Sequence, residues 1–226
     1  MFAILKKEFK TYFLTPIGYI FVAIFLLIAG YIFYKYTFSA GVTLFQYVIW
    51  DSSIILTFLS PVLTMRMFAE EKKTGTDQLL LTSPKSIVSI VLGKFLAATL
   101  VIIISLVFLF VFYGILRYFG PVNLTEPLVG ILGFLLLAMS YIAFGMFISS
   151  LTSNLVLAAI VPIAFNFVLM FVANFSGVLE MLSLMGMFQK FPQGIISLKE
   201  VVGYCSFIVL FTLLTILVLQ RRKSVK

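Results

Sequence analysis

FAEEKKTGTDQLLLTSPKS, residues 68–86, is the one sizeable polar break on its side of a chain otherwise filled by six long apolar runs. The contrast between this stretch and its flanks decides the fold. Of 226 residues, 62% are hydrophobic and 11% charged, with a mean hydropathy of +1.20, whereas soluble domains are nearer half apolar. An all-α integral membrane protein is expected. A helix crosses a hydrocarbon layer of about 30 Å in about 20 residues, so six spans use about 120 residues and leave only short loops. That leaves no room for a separate soluble catalytic domain. Barrel strands would alternate polar and apolar residues over about 10 positions, unlike these continuous runs.

The runs place transmembrane helices at 17–34, 47–67, 87–116, 128–151, 155–175 and 201–219, in a single domain covering 1–226. The third is about 45 Å long as helix, so it must tilt or project from the bilayer at the end carrying Lys85 and Lys94. Cytoplasmic loops retain Lys and Arg during insertion. With both termini cytoplasmic, 12 of the 16 basic residues fall inside and only Lys35, Arg117, Lys190 and Lys199 outside, which predicts that orientation. The net charge of +8 is then explained by topology and anionic headgroups, and no nucleic-acid partner is needed.

Residues 1–16 have a pattern of their own. Phe2, Leu5, Phe9, Tyr12 and Phe13 recur at helical spacing, away from Lys6, Lys7 and Lys10. Such a segment reads as an interfacial helix with aromatics in lipid and lysines among headgroups, turned into the first span by Pro16; a simple topogenic basic tail is the plainer alternative. The apolar run that follows lacks a small-x-small cleavage site, so an uncleaved span is expected rather than a secretory signal.

Within 68–86 the signals alternate between helix starts and stops. Glu70 to Lys73 end at Gly75, where glycine supplies the left-handed conformation that terminates a helix. Thr76 can cap a new helix, Asp77 suits its first turn, and Leu79, Leu80 and Leu81 follow. Ser83 and Pro84 then provide a second cap with proline at the first helical position. A short helix over 76–83 is predicted at the cytoplasmic face. Its leucines either meet a soluble partner's groove or pack on the chain's own helix ends.

Absences narrow the chemistry. There is no G-x-x-x-x-G-K-[ST] loop to cradle a nucleotide, so no cofactor is expected on this chain. There is no histidine, which removes histidine-ligated metal sites and histidine acid–base catalysis, and no G-x-S-x-G nucleophile elbow. Glu70 and Glu71 resemble the paired glutamates of membrane-embedded prenyl-protein-type proteases, but the arginine and histidines of that motif are missing. No catalytic residue and no metal site are predicted. The single cysteine, Cys205, is expected to pack within the last span.

A channel would need rings of charge or carbonyls, and the spans offer only Asp51, Asn166 and Asn174 as candidates for a cargo path or gate. Asp51 beside Trp50 reads as a residue at headgroup depth that caps its helix, or as a functional intramembrane carboxylate. Asn166 and Asn174, eight residues apart on one helical face, suit interhelical hydrogen bonding or cargo contact. Gly130, Gly133, Gly145 and Ser149 permit close helix approach in the fourth span. Residues 178–196 are too short to cross and too apolar for open water, fitting a re-entrant extracellular segment or a packed plug. A Ser197/Glu200 capping box is placed to start the last span.

Three patches carry a family resemblance: FAEEKKTGTDQLLLTSPKSIVSIVLGKFLA at 68–97, FGMFISSLTSNLVLAAIVP at 144–162, and FPQGIISLKEVVGYCSF at 191–207. In this order they resemble ABC-2 type transporter permeases, and the third is similar to the gliding-motility and nitrous-oxide-reductase-maturation branch. The resemblance implies a permease subunit, two of which form a homodimer or a pair with a related chain in a bacterial or archaeal cell membrane. It also implies an N-terminal elbow helix and separate ATPase subunits that carry ATP and Mg and grip the short cytoplasmic helix. By the same resemblance Glu70, Glu71, Gly75, Thr76, Asp77 and Leu80 belong to the coupling segment, beside Leu79 and Leu81. The Lys199–Glu200 pair departs from the family's commoner acidic residue near the start of the last span, and no cargo role follows from it.

Overall fold

The computed structural model describes residues 1–39, 45–77, 85–119, 124–172 and 183–224. These form helices α1 (Phe2–Leu14), α2 (Ile17–Tyr34), α3 (Phe45–Thr64), α4 (Ala69–Lys73), α5 (Ile87–Phe119), α6 (Thr125–Leu151), α7 (Leu155–Val172), α8 (Leu184–Phe188) and α9 (Leu198–Ser224), with no strand among the described residues. A π-turn, Lys35–Ser39, extends α2, and a 3-10 turn, Phe191–Gln193, follows α8. Residues 78–84, which hold Leu79, Leu80 and Leu81 and most of the predicted 76–83 helix, lie outside the described residues, as do Asn174 and 178–182.

Among the described residues, five helical stretches are long and apolar enough to cross a membrane: Ile17–Phe38, Phe45–Lys73, Ile87–Tyr118, Thr125–Leu151 and Leu198–Lys223. The apolar helix Leu155–Phe171 is shorter. The protein is therefore a multi-pass, all-helical membrane protein. The spans on α3 and α6 are each 61% buried within the chain, against 22% for that on α9. So α3 and α6 make the centre, and α9 lies at the rim with most of its surface uncovered by the rest of the chain. That placement corrects the expectation for Cys205, which is exposed on α9 rather than packed.

Small residues set the central contact. A Cβ on Gly145 would collide with Thr64 Oγ1, one on Gly130 would lie 2.7 Å from Ile49 Cδ1, and one on Gly133 would strike the ring of Phe191. Among apolar helices in lipid, close backbone approach and van der Waals packing replace the hydrophobic drive.

Helix ends follow local chemistry. Thr15 ends α1 in extended backbone, as the residue before a proline must, and Pro16 opens α2 at φ −67°. The α3 helix breaks after Thr64, residues 65–68 turn, and α4 stops at Gly75 with φ +72°. The 33-residue α5 is about 50 Å long.

The α1 helix corrects one expectation. Phe2 is exposed, but Phe9, Tyr12 and Phe13 pack against the bundle core, and a Cβ on Gly93 of α5 would sit 2.8 Å from Ile4 Cγ2. The aromatic face meets protein rather than lipid, because Gly93 lets α1 lie directly on α5, while Tyr12 finds its hydrogen-bond acceptor on α3.

At the opposite end of the bundle, 184–193 form a dense plug. Leu184, Met185, Phe188 and Phe191 are buried. Trp50 stacks on Phe188 with centroids 5.9 Å apart. Ser183 caps α8 by accepting from Gly186 N, and donates to Leu169 O at 2.7 Å. Tyr204 donates to Leu184 O at 2.6 Å, and Lys190 pairs with Glu200 at 2.8 Å.

Candidate functional site

Most ion pairs among the described residues gather where α1, α4 and the start of α5 meet. Lys94, eighth residue of α5, is only 2% exposed. Its Nζ donates to Glu71 Oε1 at 2.7 Å and to Glu8 Oε2 at 3.2 Å, and lies 5.3 Å from the centre of the Phe68 ring. An ammonium this deep in an apolar helix is costly unless paired and hydrogen-bonded. Two carboxylates from two other elements supply the pairing, so Lys94 ties α1, α4 and α5 together.

Backbone groups freed at the helix ends are met by neighbours. Tyr12 donates to Leu63 O at 3.0 Å, linking α1 to the last turn of α3. Its phenol pKa is raised well above the ordinary value, first by burial and then by the Glu8 carboxylate. Ser149 of α6 sits against the break after α3. Its hydroxyl accepts from Phe68 N and Ala69 N, each at 3.1 Å, and donates to Met65 O at 3.2 Å. One donor and two acceptor positions are the full capacity of a hydroxyl. The last carbonyls of α6 have no partner within the helix. Lys72 takes that of Ser150, and Arg222 of α9 reaches that of Leu151 at 3.3 Å. Cations at this terminus also complement the helix dipole.

A cavity of about 200 Å³ opens between these parts, lined by residues that include Glu8, Tyr12, Arg66, Glu70, Glu71, Thr76 and Lys94. Glu70 pairs with Arg66 at 3.7 Å. Thr76 donates to Glu71 O at 3.3 Å and shares a 2.9 Å hydrogen bond with Thr74. Of the residues singled out in the sequence, the structure thus gathers Glu70, Glu71 and Thr76 on one platform, with Gly75 turning the chain and Asp77 the last described residue before 78–84.

Asp51 and Asn166 do not join it. Asp51 lies seven residues into α3 and accepts from Tyr36 at 2.9 Å, which corrects its reading as a helix cap: the helix already begins at Phe45. Asn166 is 1% exposed, and among the described residues neither its side-chain oxygen nor its nitrogen has a hydrogen-bond partner. The expected interhelical bond is absent among them. Phe165 stacks on Phe144 of α6 and Phe167 meets Phe58 of α3, so at about 100° per residue Asn166 is directed between those helices.

Sequence reasoning missed Glu8 and the clamp made by Ser149. The usable signal was Lys94 itself, a cation two turns inside an apolar helix that demands a counter-charge.

Fold and platform define a class: a multi-pass membrane protein whose central spans are clasped, at one end, to a charged loop and an N-terminal helix. Residues 34–219 match the ABC-2 family transporter proteins, and the chain belongs to that family. It is a transmembrane transporter subunit. No curated protein matches the chain.

Proposed function

We propose that this chain is a six-span permease subunit, one half of an exporter, that is driven by separate cytoplasmic ATPase subunits and works with a second permease copy or a related chain. In this reading both termini and the Lys94 platform face the cytoplasm, α7 makes the remaining span, and α1 is the elbow. The third sequence patch supports the gliding-motility and nitrous-oxide-reductase-maturation branch.

The observation that carries the reading is the Glu8–Lys94–Glu71 cluster. A push on 76–83 reaches α4, and from α4 it passes through Glu71 and Lys94 into α5 and α1, and through Ser149 into α6. Closure of ATP-loaded partners then shifts the bundle between two arrangements and switches the path between subunits. ATP and Mg stay on the partner.

The test is to replace Leu79, Leu80 and Leu81 by serine in the complete complex, and to measure co-purification of the ATPase and its stimulation by the permease. Both are expected to fall. Unchanged values in a transporting complex remove this segment as the docking site. ATPase coupling without cargo transfer in vesicles would instead identify a membrane anchor that transmits force alone.

A further inference from the structure

We infer that the cavity at the Trp50 end of the bundle is a binding site for a neutral hexose unit. The cavity has a volume of about 340 Å³ and is lined by Gln46, Tyr47, Trp50, Gln189, Pro192 and Gln193. That size falls in the range of about 300–1,000 Å³ typical of small-ligand pockets. It lies at the far end of α3 from the Lys94 platform, which with cytoplasmic termini is the outer face.

Three features select the ligand. The first is the absence of charge among the described residues: no described lining residue is ionisable near neutral pH, the neighbouring Lys190 and Glu200 are paired at 2.8 Å, and Asp51 is engaged by Tyr36. A phosphate or an ammonium group would find no counter-ion among the described lining residues. The second is amide chemistry. Gln46, Gln189 and Gln193 converge on one concavity, and each side chain offers both donors and an acceptor, the combination that sugar hydroxyls use. The third is a pair of held aromatic faces. Trp50 is stacked on Phe188 with planes 12° apart, and Tyr47 on Tyr36 with centroids 5.3 Å apart. A hexose has an apolar C–H face and a rim of hydroxyls, so flat rings and neutral amides match it on both counts. Rings fixed in advance by stacking lose little freedom on binding.

Trp50 is the only tryptophan in the chain, so its emission reports this site without labelling. The full-length protein is reconstituted in nanodiscs of phosphatidylcholine and phosphatidylglycerol, free of glycoside detergents. Glucose, N-acetylglucosamine and maltotriose are titrated against it, with phosphocholine and a glycinamide dipeptide as comparators. A parallel sample carries monoglucosyl diacylglycerol in the bilayer. A saturable emission change is expected with saccharide at a dissociation constant on the order of 1 mM, weakened about tenfold or more in Gln189→Leu and Gln193→Leu, where one hydrogen-bonding amide is lost. Both glutamines are exposed, so the variants are expected to melt with the parent. A response to the bilayer glucolipid alone places the hexose on a lipid; a response to free sugar places it on a soluble saccharide. No saturable response to any saccharide, an equal response to phosphocholine or dipeptide, or unchanged titrations in folded glutamine variants would overturn the proposal. Binding here needs no ATPase, so failure of this titration and failure of the coupling experiment are separate results.

Discussion

The two ends of this bundle are held by different physics. Where α1, α4 and α5 meet, a buried ammonium, two carboxylates and the Ser149 hydroxyl join elements far apart in sequence. At the other end Trp50, Phe188, Phe191 and Gly133 interlock through ring contacts and close approach. Charge pairing is directional, and it fixes which elements move as one body. Aromatic packing adds cohesion and closes a surface. The first arrangement suits transmission of force, the second a stationary seal.

Substitutions of similar cost at the two ends break that comparison most severely. Lys94→Met leaves Glu8 and Glu71 facing each other without their cation, and breaking such a buried pair costs about 3–5 kcal/mol. Phe188→Ala empties the centre of the plug at a similar cost of about 3–5 kcal/mol. Unfolding in nanodiscs should show comparable losses, while ATPase stimulation should fall only in Lys94→Met. Equal loss of stimulation in both variants would erase the distinction between the ends. Next in size is Gly145→Ala. Its new Cβ would collide with Thr64 in the α3–α6 contact, and overpacking there should cost about 1–3 kcal/mol, read as a lowered melting temperature. Smallest is Ser149→Ala, which strands the Phe68 and Ala69 amides and the Met65 carbonyl. Water at this end of the bundle partly replaces these bonds, so the loss should be near the lower end of about 1–3 kcal/mol. Its signature is faster hydrogen exchange confined to 65–70, with the plug unchanged.

Much of the fold was legible because hydropathy reports the solvent. Apolar runs and Pro16 marked the helix positions, and glycines at 130, 133 and 145 marked close approaches. Gly75 declared its left-handed turn through its residue type and position. What stayed hidden depended on partners distant in the chain. Glu8 sits among Lys6, Lys7 and Lys10 and reads as one more surface charge; only the docking of α1 on Gly93 brings it to Lys94. Ser149 reads as a small packing residue until the break after Thr64 places free amides beside it. Asp51 misled for a similar reason: its partner Tyr36 lies on the π-turn, which no local pattern announced. Asn166 showed its position on a helix face but not that its amide would be buried without a partner among the described residues.

The central claim is that Lys94 makes α1 and the 65–77 segment a single body. Spin labels at Lys10 and Lys73, both exposed, in a Cys205→Ser background of the reconstituted complex measure it directly. A further pair at Lys73 and Gln193 reports whether the transition has occurred. The account predicts a narrow Lys10–Lys73 distance that stays the same in nucleotide-free and ATP-trapped states, and that broadens in Lys94→Met. A distance that shifts with nucleotide in the parent chain, or that Lys94→Met leaves narrow, would contradict it.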